Sequence, residues 1–292
     1  MPPSRLSSVL PRPAKRAVRT GGRRFGHLTA RFRLLPDYLI IGAQRAGTTS
    51  LFKYLVQHPA VARPFLGKGA HFFDTNYSRD LDEYRAYFPL TAYKWYVQAS
   101  RRMDAVTGEG SPYYLAHPHA PYRIAETLPD VKLIALLRDP VERAYSHHQH
   151  EVARGFEDLS FDEALEREPE RLAGEVEKMR DDPSYNSFAV QHHSYLSRGR
   201  YAEQLEVWYR LFPKEQILVL RSEQLFSDPD GTFREVLGFL GLPAFSLREY
   251  EVFNPRKYTD MGHETRQRLV EYFAEPNARL YEFLGVDFGW SR

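Results

Sequence analysis

The stretch that decides the fold runs from Pro36 to Ser50, P-D-Y-L-I-I-G-A-Q-R-A-G-T-T-S. Asp37–Gly42 is an apolar run bounded by a proline and a glycine, which predicts a short strand buried on both faces. Gly42–Gly47 then reads as a turn. Leu51, Phe52, Leu55 and Val56 recur at helical spacing over Thr49–His58, and Pro59 ends the helix. A strand, a glycine-bearing turn and a helix in that order make an anion cradle. The glycines let backbone N–H groups converge, and the helix N-terminus adds partial positive charge.

Against the triphosphate loop G-x-x-x-x-G-K-[ST], both glycines are in place but Thr48 stands at the lysine position. That lysine reaches the β- and γ-phosphates, so its loss argues against an ATPase, a GTPase or a kinase. The basic residue lies inside the loop instead, as Arg45, and Thr48, Thr49 and Ser50 supply hydroxyls. Such a set suits a single 5′-phosphate bearing a second anionic group, with no magnesium or other metal required.

A second unit repeats the pattern. Val131–Leu137 reads as a buried strand ending at Arg138, followed by a helix to about Arg154. Asp139 is placed to cap that helix, Pro140 to start it and Glu142 to close a capping box. Arg138 and Ser146 would then face the crevice at the strand's carboxyl end, where open α/β sheets bind ligands, and could hold a second phosphate. A third strand is predicted at Gln216–Arg221, followed by a helix over Pro229–Leu240. Further helices are predicted at Phe161–Glu168, Glu170–Arg180, Ser187–Ser197, Tyr201–Phe212, His263–Ala274 and Pro276–Leu284, with Pro59–Phe88 mostly loop. Strands alternating with helices predict a three-layer, P-loop-like α/β fold with a central parallel sheet flanked by helices.

Composition narrows the rest. The 292 residues are 42% hydrophobic and 27% charged, a globular balance. Cysteine is absent, which excludes disulfides, thiolate metal sites and a cysteine nucleophile, and fits a cytoplasmic setting. No apolar stretch approaches the length of a membrane span. The net charge of +2 conceals an asymmetry: residues 1–33 carry nine basic residues and no acid, leaving the remainder at −7. Residues 1–33 are therefore expected to form a basic, disordered tail without the apolar core of a signal peptide, an arginine-rich transit peptide being the minor alternative. Residues 34–292 are expected to form one domain. No nucleic-acid partner is expected, and the oligomeric state is open.

The two anion motifs, G-A-Q-R-A-G-T-T-S and L-L-R-D-P-V-E-R-A-Y-S, resemble those of sulfotransferases that use 3′-phosphoadenosine 5′-phosphosulfate (PAPS), above all the heparan-sulfate type and its bacterial relatives. The likeness runs from about Pro36 to Trp290. It takes in K-G-A-H-F-F-D, E-G-S-P-Y-Y, S-Y-L-S-R-G-R-Y-A-E-Q-L and the ending E-Y-F-A-E-P-N-A-R-L-Y-E-F-L-G-V-D-F-G-W. The resemblance implies transfer of a sulfuryl group from PAPS to a hydroxyl or amine, with PAP released. Acceptors of the family include carbohydrates, glycolipids and small metabolites. It assigns Arg45, Ala46, Gly47, Thr48, Thr49 and Ser50 to the 5′-phosphosulfate, and Arg138 and Ser146 to the 3′-phosphate. Arg256 and Lys257 match a loop that closes over the nucleotide.

In the heparan-sulfate branch the base is a glutamate in K-E-x-H-F-F, but this chain has Gly69 there. A lysine that commonly follows the glutamate of the E-G-S-P-Y-Y segment is replaced by Gly110. His71 is therefore the preferred base, with Lys68 stabilising the bridging oxygen and Glu109 the second candidate base. His147, His148 and His150 are expected to line a cleft or face solvent, and Trp208 and Trp290 to pack. Two other classes remain: a kinase-like nucleotide-binding protein with a degenerate loop, and a catalytically silent module that binds PAP.

Overall fold

A computed structural model describes residues 25–253 and 261–290. Its sheet is built from Tyr38–Gly42 (β1), Val61–Ala62 (β2), Val106–Gly110 (β3), Lys132–Leu137 (β4) and Ile217–Arg221 (β5). All pairings are parallel, in the order β2–β3–β1–β4–β5. β1 is buried throughout and β4 at every position but its first, as expected of strands covered on both faces.

The helices are Thr48–Leu55 (α1), Leu81–Arg85 (α2), Ala92–Arg101 (α3), Ala120–Thr127 (α4), Pro140–Val152 (α5) and Phe161–Leu172 (α6). Glu175–Asp181 (α7), Phe188–His192 (α8), Tyr201–Leu211 (α9), Ser222–Ser227 (α10), Pro229–Leu240 (α11) and His263–Leu284 (α12) follow. α1 and α11 pack together beside the sheet, and α9 packs against α4 and α12. The core gathers the strand side chains with Phe52, Trp208, Phe233 and Trp290. No described helix is long and apolar enough to cross a membrane.

Several boundaries differ from expectation for identifiable reasons. β3 escaped the sequence reading because V-T-G-E-G has no apolar period; Gly108 is there because a Cβ would lie 2.6 Å from the Tyr38 ring. α6 runs through Pro169 and α12 through Pro276, where breaks were expected. A proline removes one helical hydrogen bond, and the turns on either side carry both helices on. α6 also starts from a complete Ser160–Glu163 capping box. The helix expected over Ser187–Ser197 shortens to α8 plus a 3₁₀ turn at Ser197–Gly199. Residues 25–33, assigned to the tail from sequence, are structured: Ala30 and Arg33 are buried, and Arg33 donates to the Phe88 carbonyl at 2.6 Å.

Because the sheet is parallel, the chain leaves every strand at the same edge. The segments after β1, β3, β4 and β5 meet there around a cleft of about 970 Å³.

Candidate active site

The turn after β1 supplies the cleft floor. Gln44, Arg45, Gly47, Thr48 and Thr49 line it. Gly47 has φ 89° and begins α1; a Cβ there would meet the Phe226 ring at 2.9 Å, so the position is closed to larger residues. Arg45 holds the left-handed conformation, φ 72°, and its Nε donates to Ser146 Oγ at 3.0 Å. Ser146 lies on α5, so one hydrogen bond joins the two segments that the sequence assigned to separate phosphates. Arg138 lines the cleft beside them, donating to the Arg45 carbonyl at 3.3 Å and reaching Glu142 Oε2 at 3.5 Å.

Two expected loop residues lie behind this surface. Ala46 is buried within the turn. Ser50 is buried too, and its Oγ accepts from the Phe253 N–H at 3.1 Å, so it ties down the segment near Phe253 and does not face the cleft. The cap of α5 also differs. Asp139 accepts from the Val141 N–H as expected, but its own N–H donates to Glu223 Oε1 at 3.0 Å. Glu142, freed from the capping box, pairs with Arg266 at 2.5 Å and with Arg138. Arg256 and Lys257 lie outside the described residues.

Lys68 and His71 enter from the loop after β2. Lys68 Nζ donates to Thr48 Oγ1 at 2.9 Å and Thr49 Oγ1 at 3.1 Å. Burial lowers its ammonium to about 7, against the pull of the Glu109 charge. His71 points Nδ1 at Asp74 Oδ2, 2.8 Å away, which leaves Nε2 for the cleft. Burial pulls its pKa down, but the hydrogen bond and charge of Asp74 outweigh this and hold it above the ordinary histidine value. Asp74 itself is buried, held by the Thr75 N–H and hydroxyl.

Glu109 occupies the layer beneath. It is fully buried, accepting from Ser111 Oγ, Tyr114 Oη and the Ala70 N–H at 2.7, 2.8 and 3.2 Å. Ser111 Oγ in turn accepts from the His71 N–H at 3.0 Å. Burial raises the Glu109 carboxyl above its ordinary value. It does not line the cleft; it fixes the loop that carries Lys68 and His71.

The two glycine departures have a shared geometric cause. A Cβ at Gly69 would lie 2.8 Å from the Gly110 carbonyl oxygen and 3.1 Å from Ser111 Oγ. A Cβ at Gly110 would lie 2.8 Å from Lys68 Cε. The Lys68 chain thus lies flat across Gly110 on its way to Thr48 and Thr49.

The opposite wall comes from residues that sequence reasoning did not single out. Arg198 is buried, donates to Gln44 Oε1 and stacks 4.3 Å from the Tyr113 ring. Its only sequence signal was its place in S-Y-L-S-R-G-R-Y. His150, Arg154, Gln191 and His192 continue this wall, and His192 Nδ1 sits 3.0 Å from Glu151 Oε2. Phe226, Val252 and Phe253 make the apolar end. Of the three α5 histidines only His150 reaches the cleft; His147 and His148 are buried where α5 packs on α6 and Tyr195. No group of three or more metal-ligating side chains is gathered among the described residues.

Comparison with known proteins places this cleft in context. The sulfotransferase domain family matches residues 35–268. Human heparan sulfate glucosamine 3-O-sulfotransferase 3B1 is 31% identical over 286 residues, covering 88% of this chain and 65% of the relative. Human heparan sulfate glucosamine 3-O-sulfotransferase 6 is 31% identical over 288 residues, covering 88% and 74%. This chain spans just under two thirds of the first of these relatives. The crystal structure of a sulfotransferase from Alicyclobacillus acidocaldarius matches with a TM-score of 0.65 at 29% identity, over 89% of this chain and all of that one.

Proposed function

The chain belongs to the sulfotransferase domain family, and from that premise we propose that it transfers a sulfuryl group from PAPS to a carbohydrate hydroxyl, releasing PAP. PAPS supplies a sulfuryl group already activated as a phosphosulfate. The protein's work is to position the reactants and stabilise charge. The residues present fit such a donor: a glycine-floored turn, two hydroxyls, two guanidinium groups and an amine converge in one cleft.

Arg45, Gly47, Thr48 and Thr49 hold the 5′-phosphosulfate, and Arg138 with Ser146 holds the 3′-phosphate. Phe226, Val252 and Phe253 offer an apolar wall for the base. Lys68 donates to the bridging oxygen, where negative charge grows as its bond to sulfur breaks. His71 Nε2 takes the proton from the acceptor hydroxyl as that oxygen bonds to sulfur, and Asp74 stabilises the imidazolium formed. The observation that carries this reading is the meeting of Lys68, Thr48 and Thr49 beside the His71–Asp74 pair. It supports a cation and a base acting together on a donor held at the start of α1.

Relatives named for heparan sulfate glucosamine 3-O-sulfation support a carbohydrate acceptor. A cytoplasmic setting rests on the cysteine-free sequence alone. The test is transfer of radiolabelled sulfate from PAPS to a panel of partly desulfated glycosaminoglycans, glycolipids and small hydroxylated metabolites. Label transferred to a carbohydrate with a stoichiometric release of PAP supports the proposal. PAP binding with no transfer to any acceptor would make the chain a silent binder instead.

A further inference from the structure

Three aromatic rings meet where the wall of Gln191, His192 and Arg154 reaches the rim of the cleft. Phe188 lies 4.5 Å from the His192 ring and 5.5 Å from Phe156, and Phe156 lies 4.8 Å from His192. Phe188, Gln191 and His192 occupy positions i, i+3 and i+4 of α8, on one face of the helix. The last two line the cleft, so Phe188 continues their wall outward. Phe156 joins it from the loop after α5, with the guanidinium of Arg154, another cleft residue, over its ring at 4.4 Å. Phe188 is 50% exposed and Phe156 37%, so ring surface stays uncovered although the rings touch one another. Isolated exposed rings are ordinary, whereas a contiguous group at the mouth of a ligand cleft marks a binding surface.

The group is fixed from behind. Glu151, its side chain fully buried, meets His192 Nδ1 at 3.0 Å and Arg154 Nη1 at 3.4 Å, so one carboxylate sets both the imidazole and the guanidinium. That leaves His192 Nε2 for a ligand. His193 Nε2 meets the Phe156 carbonyl at 2.9 Å and ties the loop after α5 to α8. Arg198 Nη2 donates to the Val190 and Gln191 carbonyls at 2.8 and 3.0 Å. A rigid, open apolar surface bordered by an amide and an imidazole matches a sugar ring. The C–H face of the sugar packs on the aromatic rings, and its hydroxyls bond Gln191 and His192. A wholly apolar ligand would leave those polar groups idle. Phe156 and Phe188 stand outside the lining of the cleft itself, so the ring they carry is not the one presented to His71.

We propose that Phe156, Phe188 and His192 form a subsite for a second sugar ring of the acceptor, beside the ring that receives the sulfuryl group. The acceptor is then an oligosaccharide chain and not a single sugar or small metabolite. This rests on the carbohydrate reading given above. The sulfated ring sits inside the cleft within reach of His71, and its neighbour stacks on Phe188 and Phe156 at the rim. Binding energy gained there is the same before and during transfer, so it lowers KM and leaves kcat alone.

The test compares a desulfated heparin tetrasaccharide with N-acetylglucosamine as acceptors of labelled sulfate. Phe188→Ala and Phe156→Ala should each raise KM for the tetrasaccharide by roughly three- to tenfold, with kcat, PAP affinity and thermal midpoint kept. Phe188→Trp should keep the wild-type KM. The wild type should prefer the tetrasaccharide, and both alanine variants should narrow that preference. A preference unchanged by either variant overturns the proposal, as does an equal penalty on 2-naphthol, which would give the rings to an aromatic acceptor. Phe188→Trp also reports binding directly: its emission, less that of the wild type, should shift when the tetrasaccharide is added with PAP present. A shift that follows protein concentration without sugar would give the face to a second copy and overturn the proposal. If the wild type sulfates no sugar, the carbohydrate-transfer reading fails, and this emission decides the subsite separately: a shift with the tetrasaccharide upholds it and no shift removes it.

Discussion

With Lys68 placed against the donor as proposed, PAP binding should depend on pH. The lysine amine is held against two threonine hydroxyls, with burial lowering it to about 7. A phosphate brought beside it supplies the negative charge that burial took away in solvation, so the bound amine returns toward the ordinary lysine range. Only the ammonium form matches the anion. Affinity is therefore complete below pH 7 and falls about tenfold per pH unit above it, until the bound-state value is reached. Between pH 6 and pH 8 this amounts to about a tenfold weakening, or ~1.4 kcal/mol. The 5′-phosphate of PAP works in the opposite sense, losing its second proton near pH ~6 and binding better as pH rises.

Comparison with Lys68→Arg separates the two effects, since the guanidinium stays charged throughout. Calorimetric titration with PAP across this range, in two buffers of different ionisation enthalpy, measures both affinity and proton uptake. The wild type should take up close to one proton at pH 8 and lose affinity relative to the variant. Superimposable pH profiles for the two proteins would refute the placement of Lys68 against the donor.

Other outcomes follow from the same geometry. His71→Ala should leave PAP affinity unchanged and lower turnover on the order of a hundredfold; unchanged turnover would remove it as the base. The base must be unprotonated, so turnover should rise with pH through the raised His71 value. Asp74→Asn should move that rise to lower pH, because it removes the charge and hydrogen bond that hold the histidine up; an unmoved pH profile would deny Asp74 its positioning role. Arg45→Ala and Arg138→Ala should each weaken PAP binding by roughly 1.5–3 kcal/mol, measured by calorimetry, and an unaffected Kd would place that guanidinium off the donor. Gly69→Ala should cost about 1–3 kcal/mol of stability, from a Cβ driven against the Gly110 carbonyl; an unchanged thermal midpoint would deny the close approach.

The parts of the fold legible in the sequence are those with a clear apolar pattern. β1 and β4, covered on both faces, and β5, partly buried at the edge of the sheet, announce themselves as apolar runs, and Pro229–Leu240 matches its helix end to end between Asp228 and Gly241. β3 does not, because its residues serve their neighbours: Gly108 admits the Tyr38 ring, Glu109 anchors the loop bearing His71, and Gly110 admits Lys68. The same limit applies to the site. Phosphate-loop glycines, Arg45, Arg138 and Ser146 could be named from local spacing and resemblance. That Ser50 and Ala46 turn inward depends on how α1 meets the segment near Phe253, which no local pattern encodes. Arg198 was missed for a related reason: its partners Gln44 and Tyr113 lie 154 and 85 positions away in sequence and meet it only in the folded cleft. The exchange of Glu223 for Glu142 at the α5 cap likewise needed β5 beside β4 before it could be seen.

The central claim is that this cleft is a PAPS site rather than a triphosphate site. Calorimetric titration of the full chain with PAP and with ATP, each with and without magnesium, tests it most directly. The account predicts tight PAP binding indifferent to magnesium and no measurable binding of ATP. Magnesium-dependent ATP binding with PAP ignored would contradict it and return the two anion motifs to the kinase-like reading.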